Sequence, residues 1–251
     1  MSYICNITGK YFDLNDDEKS RESGIRFNHN CRFRAICYCL SMCLFNEVKI
    51  LNSIIPNKLI KGIGMSDSGW ATICEEKFNY INTYYHTSPF LDIYNGTHIL
   101  NYNDLDFIIS SDVFEHIDPF PNIQLAFNNL YKMLKKDGFI VFSVPFTNDE
   151  HVEHFPSLYK YKIEKKDNQY ILNNTTIDGK KETFTNLCFH GGPGNVLEMR
   201  VFSRKSLTQY LTNAGFMDIT FHEMTPDMNK YGIFWSKDND NNRSLIITAK
   251  K

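Results

Sequence analysis

Two short apolar runs with a helical pattern between them constrain this chain more than any other feature. Phe107 to Ser110 and Phe139 to Val144 are apolar at successive positions, as in strands buried on both faces of a sheet. Between them Ile123, Ala126, Leu130, Met133 and Leu134 recur at helical spacing. Pro121 is placed for a first helical turn, Lys135 and Lys136 suit the negative end of the helix, and Gly138 suits a left-handed residue that closes it. Two buried strands joined by a helix make a βαβ crossover, so an α/β fold with a covered parallel sheet is expected.

A chain of 251 residues is long enough for one large domain or two small ones. A formal net charge of −2 gives no general pull towards nucleic acid or acidic membranes, and no long basic stripe with interleaved aromatics appears. No apolar run reaches the length of a membrane span, and Met1-Ser-Tyr lacks a basic-then-apolar leader. The expectation is a cytoplasmic protein with no membrane span and no nucleic-acid partner. The seven cysteines are odd in number, which argues against a disulfide framework. Cys31, Cys37, Cys39 and Cys43 lack paired C-x-x-C knuckles and fall mostly within one amphipathic helical pattern. Buried free thiols are expected there, and no metal.

The turns of the central unit carry a resemblance. Asp106-Phe-Ile-Ile-Ser-Ser-Asp-Val-Phe-Glu-His116, followed by Leu134-Lys-Lys-Asp-Gly-Phe-Ile-Val-Phe-Ser-Val-Pro145, resembles strands four and five of class I methyltransferases that use S-adenosylmethionine. The resemblance implies a Rossmann-like sheet, mostly parallel with an antiparallel last strand, and an antiparallel β insertion after strand five. It implies a core of residues 31–147 and 200–251, an irregular cap over 1–30, and a substrate-side insertion over 148–199.

Around that unit the chain supplies the remaining parts. A hairpin through Ile4 to Phe12 is expected in the cap, and Asn30 is placed to cap a helix from Cys31 on which Phe33, Ile36, Cys37, Leu40 and Leu44 share one face. Arg21, Arg26, Arg32 and Arg34 at this junction are either a solvated basic face or a contact to an anionic substrate. A strand then runs into Gly62-x-Gly64, with a helix from about Ser68, the arrangement of a nucleotide-binding first loop. In the family this loop wraps the methionine part and ribose of the cofactor, which implies contacts from Gly62, Gly64, Ser66 and Asp67. The sequence departs from the family where Ile60 or Lys61 replaces the usual acid, and where Asn82, Thr83, Tyr84 and Tyr85 follow strand two without one. Thr83 and Tyr84 are the ribose candidates. Ser88 to Ile93 would be strand three, with Asp92 either beside the adenine or in a turn. Ser111, Asp112 and His116 follow strand four, on the edge where ligands sit in open α/β sheets.

Beyond Pro145, Tyr159 to Ile163 and Gln169 to Leu172 alternate as a hairpin, with a turn over Thr176 to Lys180. Ser203 caps a last helix that Gly215 ends, and Phe216 to His222 and Ser244 to Thr248 are the final strands. Phe189-His-Gly-Gly-Pro-Gly-Asn-Val-Leu-Glu-Met-Arg-Val-Phe202 is either a substrate stretch or a structural loop. Its glycines free the backbone, and His190, Glu198 and Arg200 bring acid–base and anion-pairing groups. With the His154-containing run Glu153-His-Phe-Pro156, it is similar to methyltransferases of capsule and lipopolysaccharide loci, whose substrates include sugars, nucleotide-linked intermediates and phosphoramidate groups.

Methyl transfer from a sulfonium is an in-line displacement, so the protein must align the acceptor and, for a hydroxyl, remove a proton. His190 and His116 are the catalytic candidates, with His154 and His86 as further bases. Substrate contacts are expected from His154, His190, Gly191, Gly192, Glu198 and Arg200. A nicotinamide-dependent dehydrogenase would also want a glycine loop after strand one, but not Glu115-His116 and the turn before Phe139. A non-catalytic module that keeps the methyltransferase shape is the third class.

Overall fold

The structure, a computed structural model, describes residues 2–20, 22–94, 96–234 and 245–251. The expected basic residue Arg21 and the start of the last strand at Ser244 lie outside them. The chain opens with the antiparallel hairpin β1 (Ser2–Ile4) and β2 (Tyr11–Asp13). Asn30 then caps α1 (Cys31–Phe45), its Oδ1 accepting the Phe33 N–H at 2.9 Å. β3 (Asn57–Met65), α2 (Ala71–Lys77) and β4 (Phe78–Thr83) follow, and the short α3 (Gly96–Ile99) leads to β5 (Leu105–Ser111). α4 (Ile123–Met133) connects β5 to β6 (Leu134–Ser143), which closes the crossover that the two apolar runs implied.

After β6 come β7 (Phe146–Thr147) and β8 (Val152–Glu153), then an antiparallel sheet of β9 (Lys160–Lys166), β10 (Gln169–Thr175) and β11 (Lys181–Phe184). The hairpin β12 (Phe189–His190) and β13 (Val196–Leu197) returns the chain to β14 (Arg200–Ser203), which lies between β7 and β8. Ser203 caps α5 (Arg204–Ala214) and Gly215, at φ 104°, ends it. β15 (Met217–His222), α6 (Pro226–Asn229) and β16 (Ile246–Lys250) complete the described chain.

The central sheet runs β15-β16-β6-β5-β3-β4. β3, β4, β5 and β6 pair in parallel, and β16 pairs antiparallel to both β6 and β15. Alternation along the strands sorts the core into two layers. Phe107, Ile109, Phe139 and Val141 pack with α1, α2 and the N-terminal hairpin, whereas Ile108, Ile140 and Phe142 pack with α4 and α5. A sheet covered on both faces is why these strands read as continuous apolar runs. Among the described residues no helix is long and apolar enough to cross a membrane.

Several local expectations are corrected. Ser88 to Ile93 forms no strand; an isolated parallel bridge, Tyr84 with Phe90, is what remains of strand three. Pro121 lies ahead of the helix, because Asn122 is the residue whose side chain caps it, accepting the Gln124 N–H at 2.8 Å. Gly138 does not close the helix either. β6 starts directly at Leu134, Asp137 takes the left-handed turn at φ 64°, and Gly138 is needed because a side chain there would meet the Leu105 carbonyl at 2.7 Å. The helix placed from Ser68 starts at Ala71, after Gly69 turns the chain at φ 77°.

Candidate active site

β3 has β4 on one side and β5 on the other, so the carboxyl ends of β3 and β5 form a topological switch point, the usual ligand crevice of an open α/β sheet. Both strand ends turn sharply there on non-glycine residues, Ser66 at φ 59° and Asp112 at φ 52°. Ser66 is exposed, and Ser111 and Asp112 are half-buried. Asp112 is held in place from two sides. The Ser143 hydroxyl donates to Asp112 Oδ1 at 2.7 Å, and Arg32 Nη1 lies 3.1 Å from Oδ2. Arg32 also donates to Ser111 Oγ and pairs with Glu22 at 2.9 Å.

The glycine pair does something other than expected. Gly62 and Gly64 lie within β3, and protein side chains fill the space above them. A Cβ on Gly62 would fall 2.2 Å from the Phe107 ring, and one on Gly64 would fall within 2.0 Å of the Asp67 carboxyl. The missing side chains of these glycines admit Phe107, Tyr80 and Asp67. Asp67 itself is turned inward. Its carboxyl takes the Tyr80 hydroxyl, while its backbone N–H donates to Asn82 Oδ1 at 2.9 Å and its C=O accepts from Asn82 Nδ2 at 2.7 Å. Burial pushes the Asp67 carboxyl up to about 7, against the hydrogen bond from Tyr80. Thr83 is also spent internally, its hydroxyl donating to the Gly64 carbonyl at 2.7 Å. Asp92 takes the turn role, accepting the Tyr94 N–H at 2.9 Å. Tyr84 stays 37% exposed, and its hydroxyl accepts from Asn82 Nδ2 at 3.0 Å.

Next to the crevice, a short 3-10 turn (Phe114–His116) follows β5 and belongs to a cluster of ionisable side chains. His116 Nδ1 lies 2.8 Å from the Leu197 carbonyl, and its Nε2 lies 3.6 Å from the buried Glu115 carboxylate. His190 approaches the same carboxylate, with Nδ1 at 3.6 Å. The two imidazoles meet edge to face at 4.7 Å between centroids. On its far side His190 Nε2 lies 2.9 Å from Glu198 Oε2, while His154 Nε2 lies 3.0 Å from Glu198 Oε1. Burial raises the Glu198 pKa, but the hydrogen bonds from His190 and His154 outweigh it and hold the group below the usual carboxylate range. Burial lowers the His116 pKa, which favours its neutral form. His116, His154, His190 and Glu198 thus come together from segments spread between residues 116 and 198. His86 does not join them; it lies exposed beside Tyr85.

Arg200 is a correction. It is 0% exposed, its Nε donates to Glu153 Oε2 at 3.0 Å, its Nη2 lies 2.9 Å from Oε1, and its Nη1 donates to the Phe114 carbonyl at 2.7 Å. A guanidinium so engaged holds the protein together and is not offered to an anionic substrate. Among the described residues, Arg26 and Arg34 near the N-terminus are also engaged within the protein. Arg26 pairs with Glu18 at 2.9 Å, and the fully buried Arg34 donates to the carbonyls of Gly24, His29 and Gly232. Gly191 and Gly192 are exposed at φ 73° and 109°, conformations the β12–β13 turn requires. Most of the cysteines are buried and all are free. Sequence reasoning missed Glu115 as the acid between two histidines, and Glu153 as the partner of Arg200. Glu153 stands beside His154 in an ionisable loop, a signal that was present but unspecific.

Residues 101–220, just under half of the chain, match a family model described as a methyltransferase domain. The match takes in the 3-10 turn, the β insertion and His190 to Arg200, but not Gly62 and Gly64. No curated protein sequence matches. The chain is similar in structure to an S-adenosylmethionine-dependent methyltransferase from Clostridium acetobutylicum, with 10% identity, 89% of this chain and 92% of that one covered, and a TM-score of 0.46. It is similar to another from Archaeoglobus fulgidus, with 14% identity, 90% and 96% covered, and a TM-score of 0.46. A third is the Burkholderia thailandensis 1,6-didemethyltoxoflavin-N1-methyltransferase, with 13% identity, 86% and 78% covered, and a TM-score of 0.44.

Two predictions follow from this geometry. Arg200→Ala should cost about 3–5 kcal/mol of stability, as breaking one side of a buried ion pair does; an unchanged urea midpoint would contradict the assignment. The folded pKa of Asp67, about 7, stands above its unfolded value, so its contribution is complete below about pH 4 and is lost as pH rises through 7. Asp67→Asn should therefore gain stability relative to the parent between pH 4 and 8, measured by urea midpoints, and a constant difference would show that Asp67 keeps an ordinary pKa. Residues 101–220 are thus similar to a methyltransferase domain, and they lie on a Rossmann-like sheet.

Proposed function

We propose that this enzyme methylates an oxygen of a small molecule or glycan in surface-polysaccharide biosynthesis, with a sugar hydroxyl as the acceptor. The observation that carries the reading is the convergence of His190 and His116 beside the switch-point crevice, with Glu198 orienting His190. S-adenosylmethionine supplies a methyl group already activated as a sulfonium. Across the ends of β3 and β5, Ser66, Ser111, Asp112 and Tyr84 are the residues we assign to holding it, with Asp67 supporting the loop from inside. Asp112 is pre-positioned for this by Ser143 and Arg32, so little ordering remains at binding.

On the acceptor side, His190 presents Nδ1 inward while its Nε2 hydrogen bond to Glu198 fixes the ring. That leaves Nδ1 as the atom able to accept a proton from a hydroxyl. His116 shares the pocket and His154 steadies Glu198. The preference for a neutral hydroxyl over a phosphoramidate or phosphate rests on the arginines. Among the described residues, Arg32 and Arg200 stand beside the site, and both are engaged with carboxylates. An aromatic rim supports a sugar ring. Tyr85, Phe120, Tyr159 and Tyr161 all keep exposed area; Phe120 and Tyr159 are 5.1 Å apart, and Tyr161 donates to Asp118 at 3.0 Å, two residues beyond His116. Aromatic walls with a few placed polar groups are the usual make-up of such sites. The insertion that bears Tyr159 and Tyr161 would cover the acceptor, and we place the enzyme in the cytoplasm, where the methyl donor is made.

The test has two parts. S-adenosylhomocysteine in hundred- to thousand-fold excess over its Kd should stabilise the protein by about 3–4 kcal/mol, and a larger thermal shift with NAD would overturn the assignment. His190→Ala should lower turnover on the true acceptor about a hundredfold while leaving S-adenosylhomocysteine affinity intact. Near-normal turnover would remove His190 from the reaction.

A further inference from the structure

The arrangement around Glu115 does more than place a base. One ligand atom from each of Glu115, His116 and His190 lies within 4.8 Å of the others, and His116 Nε2 and His190 Nδ1 are each 3.6 Å from Glu115 Oε1. Bonds of about 2.1 Å to a metal put neighbouring ligand atoms about 3.0–3.4 Å apart, so an ion would draw the three ligand atoms somewhat closer together.

The outer hydrogen bonds fix which nitrogen faces inward. A backbone carbonyl can only accept, so His116 carries its hydrogen on Nδ1, towards Leu197, and its Nε2 lone pair points to Glu115. The Glu198 carboxylate likewise takes the hydrogen of His190 Nε2, which leaves the Nδ1 lone pair pointing to Glu115. Two imidazole lone pairs and a carboxylate converge on one point, each imidazole tied from behind to a carbonyl or carboxylate. That is how metal-ligating histidines are held.

We propose that Glu115, His116 and His190 bind one divalent first-row transition-metal ion. Two nitrogens and one carboxylate oxygen suit Zn²⁺, Fe²⁺, Co²⁺ or Mn²⁺. Three protein ligands leave a coordination position open on the His190 side, where the His190 side chain is 33% exposed. An oxygen bound there would be oriented and made more acidic by the ion. The metal site stands without any assumption about the reaction, but its use on an acceptor hydroxyl rests on the methyltransferase reading. In that case the two histidines act through the ion, and the proton of the hydroxyl passes to solvent. The alternative trio Cys188, His190 and Glu198 is a weaker set, because Cys188 is exposed and both Glu198 oxygens already take hydrogen bonds from His190 and His154.

Chelator-treated full-length protein titrated with Co²⁺ tests this directly. The expected result is saturation at one equivalent with visible d–d absorption. Glu115→Gln and His116→Gln should weaken binding at least tenfold, and Cys188→Ser should leave it unchanged. Glu198→Gln should weaken binding about 10- to 100-fold, as loss of an outer partner does. Where a variant does not melt cooperatively, Co²⁺-dependent protection of His116 and His190 from diethyl pyrocarbonate in the parent protein, read by peptide mass, decides without substitution. The proposal is overturned by the lack of saturable Co²⁺ binding, by d–d bands that survive in both folded variants, or by a thiolate charge-transfer band that Cys188→Ser removes. S-adenosylhomocysteine binding by the same samples separates the two readings. Cofactor binding without Co²⁺ binding sinks only the metal, and the reverse sinks only the methyltransferase assignment.

Discussion

Everything distinctive about the second half of this protein depends on one buried guanidinium. Arg200 leaves β14, grips Glu153 of β8 with two nitrogens, and uses its third to hold the Phe114 carbonyl at the start of the 3-10 turn. A charge taken wholly out of water is costly unless it is paired, so these partners are tied to one another. The Met199 N–H donating to the Glu115 carbonyl at 2.7 Å joins the same segments through the backbone. The loop that bears His154, the turn that bears Glu115 and His116, and the segment that bears Glu198 are therefore fixed together. His190 reaches them because the β12–β13 hairpin brings it back beside Leu197.

That dependence also explains how much of the molecule its sequence discloses. Periodicity reports burial, so the β5–α4–β6 unit, covered on both faces, was legible as two apolar runs around an amphipathic helix. Caps are local, and Asn30, Ser203 and Gly215 each stand where side-chain and backbone chemistry demand them. What was not legible is what distant residues decide. Gly62 and Gly64 look like a ligand loop, yet they make room for Phe107 and Asp67, which only the sheet register brings above them. The run Ser88 to Ile93 has the composition of a strand, but it makes no more than a single bridge at the sheet edge beyond β4.

The site was half legible for the same reason. Histidines and acids could be picked out by type, and His116, His154, His190 and Glu198 do converge. Type alone could not separate Arg200, which faces inward, from a ligand-facing arginine, nor connect Arg32 to Asp112 across most of the first half of the chain. The pairing of each imidazole with an outer carbonyl or carboxylate, with Glu115 on its other side, is visible only in three dimensions.

The central claim is that the switch-point crevice and the histidine pair are two halves of one active site. A crystal structure with S-adenosylhomocysteine tests it most directly. The account predicts the ligand across the carboxyl ends of β3 and β5, between Ser66 and Asp112, with its sulfur directed at His116 and His190. A ligand bound elsewhere, or a sulfur turned away from the two imidazoles, would contradict it.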